Sequence, residues 1–351
     1  MNPSDSVVAA RRALIDRFFP QEIPPLWCPL ITHYDSDGAI DRARMAVHLK
    51  YLSPHVKGFL IPGSTGDGWE MNDDEIRRLL EIALQLASEL DVHLLIGVLK
   101  TNAAEARDTI LDTLAWLRSR AVTGGDLAVL AGSHVCGFTI CPPRGRELSQ
   151  QQIGSALANV LETELPISLY QLPQVTENTM SPAIAAALAA RFANFILFKD
   201  TSGADAVATS GQNLGGVFLV RGAEGDYCRW LKGAGGPYDG FLLSTANCFG
   251  RELHEIVSAV TAGRIEAATV LSTRLTGTVN EVFELVRTVP QGNPFANANK
   301  AMDHFFAYGP GAAKAAPPKL HAGVHLPVEV IRATGEILRH HQLMPDRGYL
   351  D

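Results

Sequence analysis

Eight short runs of near-continuous apolar residues recur between positions 26 and 243, separated by longer amphipathic stretches. The runs are 26–31 (LWCPLI), 57–61 (KGFLI), 92–98 (VHLLIGV), 135–140 (VCGFTI), 166–170 (PISLY), 194–198 (NFILF), 217–221 (VFLVR) and 239–243 (DGFLL). A strand wetted on one side alternates polar with apolar residues, whereas one covered on both faces does not. These runs therefore read as parallel strands packed between helices. Helices are expected at 41–53, 73–90, 102–119, 149–163, 181–192, 203–214, 224–234 and 247–262. The Met71–Asn72–Asp73–Asp74 and Ser181–Pro182 segments carry helix-start chemistry, with Pro182 at a first helical position. Eight strand–helix units are the count of a closed (β/α)8 TIM barrel of the α/β class. A doubly wound sheet needs only six strands, and no G-x-G-x-x-G occurs.

Three regions follow: an N-terminal helical extension at 1–24, the barrel at 25–262 and a C-terminal helical appendage at 263–351. In the appendage, helices are expected at 264–289, 296–308 and 326–342. Pro290–Gln291–Gly292–Asn293–Pro294 breaks the first two apart, and the Gly- and Pro-rich stretch from Gly309 to Pro318 reads as a connector. With 46% hydrophobic and 19% charged residues, the chain has material for a large core, which excludes disorder. Lys and Arg total 30 against 37 Asp and Glu, a net charge of 30 − 37 = −7 without basic blocks, which opposes nucleic-acid binding. No apolar run approaches the length that spans a bilayer. The five cysteines are scattered without a C-x-x-C, so reduced thiols, no zinc site and a cytoplasmic setting are expected. The first twenty residues lack the apolar core of a signal peptide.

In a barrel of this kind, acting residues lie at the C-terminal ends of strands and in the loops that follow. After the second strand comes Gly63–Ser64–Thr65–Gly66–Asp67–Gly68, whose small residues let backbone N–H groups converge on an anion, with two hydroxyls adding donors. The fifth strand ends in Tyr170, a phenol able to shuttle a proton, or an ordinary core aromatic. The sixth runs into Lys199–Asp200–Thr201–Ser202–Gly203. An ammonium closing an apolar strand is either salt-bridged or a nucleophilic amine. Together, an anion nest, a phenol and an amine at one barrel end form the equipment for Schiff-base chemistry on an α-keto acid.

On these motifs the chain resembles the dihydrodipicolinate synthase / N-acetylneuraminate lyase family of class I aldolases and dehydratases, over roughly residues 25 to 262. The family's G-[ST]-T-G-E loop, which grips the pyruvate carboxylate, reads Gly63–Ser64–Thr65–Gly66–Asp67 here. Its Tyr-Asn-x-Pro reads Tyr170–Gln171–Leu172–Pro173, and its Schiff-base motif K-[DE]-[SAT]-S-G reads Lys199–Asp200–Thr201–Ser202–Gly203. Thr32–His33–Tyr34 with Asp37–Gly38 corresponds to the first strand's T-P-F and D-G. Gly240 to Asn247 matches loosely the run ending the eighth strand. The resemblance implies Lys199, Tyr170 and Thr65 as catalytic residues and Gly63, Ser64, Thr65 and Leu242 as substrate contacts. It also implies a covalent imine on Lys199 in place of any cofactor, and a homo-oligomer, tetramer or dimer.

Two departures bear on the substrate. Where family synthases carry a tyrosine pair after the fourth strand, this chain has Pro142–Pro143–Arg144–Gly145–Arg146. The proton relay is therefore incomplete or closed by another group such as Tyr34. The arginine that holds the aldehyde's carboxylate in dihydrodipicolinate synthases is replaced by Val175. These departures argue against the dihydrodipicolinate synthase reaction itself. Arg144, Arg146 and Arg221, all at strand ends, are candidates for a replacement clamp on a second carboxylate; the alternative is that they form salt bridges. His321 and His325 have i, i+4 spacing, but Gly323 and the upstream prolines oppose a helical metal site. Asp35–Ser36–Asp37–Gly38 reads as a turn. The expected function is a lyase acting on a 2-keto acid, of pyruvate or 2-keto-3-deoxy sugar-acid type. The alternative is a non-catalytic keto-acid-binding barrel with a regulatory or scaffold role.

Overall fold

The computed structural model describes residues 2–120 and 123–351. Among them, eight strands are β1 (Leu26–Cys28), β2 (Gly58–Ile61), β3 (His93–Val98), β4 (Val135–Ile140), β5 (Ile167–Gln171), β6 (Phe195–Asp200), β7 (Phe218–Arg221) and β8 (Gly240–Leu242). They close a barrel in the order β1 to β8, and the pairs with assigned register are all parallel. Every strand overlaps its expected apolar run, and β2, β4, β5 and β6 are buried along their whole length. The fold class is a (β/α)8 barrel.

The helices are α1 (Asp5–Phe18), α2 (Arg42–Leu52), α3 (Asp73–Leu90), α4 (Ala103–Ser119), α5 (Asp126–Gly132), α6 (Gln150–Leu161), α7 (Pro173–Thr176), α8 (Pro182–Arg191), α9 (Ala206–Thr209), α10 (Tyr227–Trp230), α11 (Ala246–Thr261), α12 (Ile265–Val286), α13 (Pro294–Tyr308) and α14 (Val328–His340). Asn72 caps α3 in a reciprocal capping box with Glu75, and Ser181 caps α8 with Pro182 at its first position.

Two expected helices are largely absent. In place of 203–214 only α9 forms, because Gly203, Asp205 and Gly211 all take positive φ (71°, 53° and 72°). Asp205 is drawn out of line by its side-chain bonds to Arg221 and Tyr238. In place of 224–234, Asp226 turns left-handed at φ 53°, and a single turn, α10, precedes a 3₁₀ turn at Lys232–Ala234. Part of the expected connector, Gly309–Lys314, is also a 3₁₀ helix.

The described residues divide into two compact units. One comprises 2–25, 93–120, 123–223 and 237–242 and contains β3 to β8. Within it α1 is fastened by Arg11, almost fully buried, whose guanidinium donates to the carbonyls of Ala189, Phe192, Phe195, Leu214 and Gly215. Burial among carbonyls lowers the Arg11 pKa to about 10. The other unit comprises 26–92, 224–236 and 243–351, in which α11 to α14 pack on one another.

Candidate active site

Register places the central pair. Across β5, β6 and β7, Tyr170 pairs with Lys199 and Lys199 with Val220, while Gln171 pairs with Asp200 and Asp200 with Arg221. Side chains alternate along a strand, so the first three share one face and the second three the other. Lys199 and Tyr170 are 4% and 3% exposed, and Lys199 Nζ stands 4.0 Å from the centre of the Tyr170 ring. A phenol is thus held against a desolvated amine. Gly222 leaves room beside them, since a Cβ there would lie 2.5 Å from Thr201 Cγ2 and 3.0 Å from Lys199 Cε.

The opposite face anchors this pair. Thr201 donates to the Gln171 carbonyl from both its N–H (3.1 Å) and its hydroxyl (2.7 Å), tying the ends of β5 and β6 together. The Gln171 amide exchanges bonds with the Met180 backbone, fixing the loop after β5. Asp200 accepts from Ser202 N–H and Oγ, and burial raises its carboxyl pKa.

Arg221 shares that opposite face, and its guanidinium grips Asp205 at 2.9 and 3.1 Å while donating to the Ala223 carbonyl. Tyr238 adds a 2.6 Å bond to the same carboxylate. Of the two readings of Arg221, substrate clamp or salt bridge, strand parity favours the second, a buried ion pair with Asp205. Arg144 and Arg146 remain at the surface and share Glu177, whose carboxyl pKa Arg144 above all holds down. Leu242 ends β8 fully buried.

The anion-nest loop lies in the other unit. Ser64–Gly66 forms one 3₁₀ turn closed by Asp67 in the left-handed region, at φ 62°. Gly66 cannot be larger, because a Cβ would meet the Leu30 carbonyl at 2.4 Å. Trp69 Nε1 donates to Ser64 Oγ (2.9 Å), which leaves the Ser64 hydroxyl hydrogen available as a donor. Thr65 is 5% exposed, and Thr32 Oγ1 holds the Gly66 carbonyl at 2.7 Å. From α13 and its cap, Asn293 donates to the Ser64 carbonyl (3.0 Å) and Lys300 to Asp67 (2.7 Å). Tyr34 donates to the same Asp67 oxygen at 3.1 Å. Burial first, then Asp67, pushes the Tyr34 phenol up, and burial pulls the Lys300 ammonium down against the opposing pull of Asp67.

Sequence reasoning missed two clusters in this second unit. Glu224 is held by Ser244 Oγ, Thr245 N–H, Thr245 Oγ1 and Tyr227 Oη at 2.6–3.1 Å. Its signal was the Ser–Thr pair after β8, read only as part of a loose motif. His33, His48 and Asp303 form the other, a buried group with metal-ligating atoms within 4.8 Å of one another. Arg44 already occupies Asp303 at 3.0 Å, and His48 Nε2 donates to the Asn247 carbonyl at 2.8 Å. A metal ion there would displace a resident cation. His321 and His325 lie outside any helix, with His321 beside Glu75 and His325 Nδ1 donating to the Pro317 carbonyl. Asp35 closes the turn expected at 35–38 by accepting from Asp37 and Ala39.

The family model described as the dihydrodipicolinate synthetase family matches residues 119–292. The 4-hydroxy-tetrahydrodipicolinate synthase of Agrobacterium fabrum is 26% identical over 237 residues, 67% of this chain and 74% of the relative. A probable 5-dehydro-4-deoxyglucarate dehydratase of Corynebacterium glutamicum is 25% identical over 174 residues, 49% of this chain and 48% of the relative. Among solved structures, the prophage protein YagE of E. coli K12, in complex with pyruvate, superposes with a TM-score of 0.70. It is 18% identical, with 92% of this chain and 99% of that chain covered, a likeness of fold. Among the described residues no helix is long and apolar enough to cross a membrane.

Proposed function

We propose that this chain, which matches the dihydrodipicolinate synthetase family over residues 119–292, is a class I lyase acting on a 2-keto acid through an imine at Lys199. The observation that carries the reading is the buried pair of Lys199 and Tyr170, register partners with the amine 4.0 Å from the phenol ring. The neutral amine is the form that attacks a carbonyl.

In this reading Lys199 Nζ adds to the 2-keto carbon, and water leaves as the carbinolamine collapses to the imine. Tyr170 carries protons to and from the departing oxygen and the carbon being cleaved. The protonated imine takes up the electron pair released when a C–C or C–O bond breaks, so the reaction calls on neither metal nor organic cofactor. The family resemblance assigns the substrate's carboxylate to Ser64 and Thr65, whose loop offers backbone N–H groups and the Ser64 hydroxyl as donors. Val175 and Pro142–Arg146, standing where the synthases carry an arginine and a tyrosine pair, favour a reaction other than the synthases' own. A 2-keto-3-deoxy sugar acid is the substrate class that we favour, and the dehydratase among the relatives supports it.

The test is borohydride reduction in the presence of pyruvate, followed by peptide mapping. The expected result is an irreversible adduct on the peptide containing Lys199. An adduct located elsewhere, or none, overturns the reading.

A further inference from the structure

A loop that receives a carboxylate should not face uncompensated negative charge, yet this one ends in Asp67, with Glu70 three residues on. Asp67 is 2% exposed, and its backbone takes the left-handed turn that closes Ser64–Gly66. The compensating charge comes from α13. Lys300, 2% exposed, donates to Asp67 Oδ2 at 2.7 Å, and its Nζ lies 4.6 Å from the Tyr34 ring centre. Glu70 is also within electrostatic reach of Lys300, and proximity to Asp67 adds to the effect of burial in raising the Glu70 pKa. Two acids thus flank the loop, and Lys300 is the buried cation between them.

We propose that Lys300 is a positioning residue that makes the Gly63–Asp67 loop selective for a carboxylate, by neutralising Asp67 and fixing the turn it closes. The inference rests on the reading that this loop binds the keto acid's carboxylate. It adds the source of that selectivity, a side chain 233 residues away on helix α13 of the C-terminal region. Asn293, the cap of α13, supports the same placement by holding the Ser64 carbonyl. At short range in a poorly solvated site, one unbalanced charge changes an anion's affinity by about tenfold or more.

The experiment compares two carbonyl probes in borohydride trapping: pyruvate, and methyl pyruvate, which lacks the anionic carboxylate. In Lys300→Met the half-saturating pyruvate concentration should rise by about tenfold or more, while that for methyl pyruvate changes by less than about twofold. The double variant Lys300→Met/Asp67→Asn removes both charges and should bring pyruvate back to within about threefold of the parent. A merely structural lysine would weaken both probes together, and the double variant would not recover; either outcome overturns the proposal. Should Lys300→Met fail to fold, Asp67→Asn alone decides. It removes the carboxylate bonded to Lys300, leaving Glu70 as the remaining acid, and should raise the preference for pyruvate over its ester; an unchanged preference refutes the proposal. If the parent protein is trapped by neither probe, the imine reading fails on its own account. The same comparison is then read by calorimetric titration of the two probes.

Discussion

Tyr170 and Lys199 occupy paired positions on neighbouring strands, and the lysine's Nζ rests 4.0 Å from the centre of the tyrosine ring. Both are nearly solvent-free, and the register of the sheet sets the amine against the tyrosine ring.

Lys199→Ala should abolish trapping by pyruvate and borohydride while leaving the far-ultraviolet circular dichroism intact, since a small residue fits where a buried chain stood. A variant still labelled as well as the parent would falsify the imine assignment.

Tyr170→Phe keeps the ring and loses the hydroxyl. Turnover should fall by about 10²–10³, in line with general acid–base contributions, while pyruvate binding changes much less. An unchanged kcat means that the phenol is only a wall.

Arg144 and Arg146 share Glu177 at the surface. If one of them holds a second carboxylate, its replacement by Ala costs about 1.5–3 kcal/mol. This reads as a higher KM for the diacid and no change in pyruvate trapping. Equal KM values for parent and both variants place the clamp elsewhere.

Arg221→Met should act on stability instead. Breaking a buried ion pair leaves Asp205 charged and unmatched, at a cost of about 3–5 kcal/mol. Urea denaturation at neutral pH measures it, and a loss below about 1 kcal/mol contradicts the pairing.

His33, His48 and His304 all have pKa values lowered by burial and are neutral in the fold. The unfolded chain takes up protons on these rings as pH drops through about 6.5, before the folded chain does. Their contribution to stability is therefore present above that pH and lost below it. The melting temperature should fall as pH goes from 7.5 to 5.5, and His48→Gln should flatten the slope. A slope of opposite sign, or one unaffected by the variant, disposes of the idea.

The strands and the amine were legible because each depends on residues adjacent in sequence: continuous apolar runs, and Lys199 with the four residues after it. Helices 203–214 and 224–234 were not, because Asp205 and Asp226 leave helical geometry. Asp205 does so while bonded to Arg221, sixteen residues away, which no periodicity reports. Arg221 takes the salt-bridge alternative for a countable reason, since it pairs with Asp200 and not with Lys199. The parity was present in the sequence, but the register needed to use it was not. Glu224 and Lys300 escaped notice because their partners, Thr245 and Asp67, lie 21 and 233 residues off.

The strand register carries an evolutionary consequence. Past the register shift between Phe195 and Leu197, a residue inserted or deleted before Lys199 would exchange the two faces of β6, sending Lys199 to the side of Arg221 and Asp200 to the side of Tyr170. Length variation among homologues should therefore gather in the connections, and the stretch from Phe195 to Lys199 should keep its number of residues even where every apolar letter in it has changed.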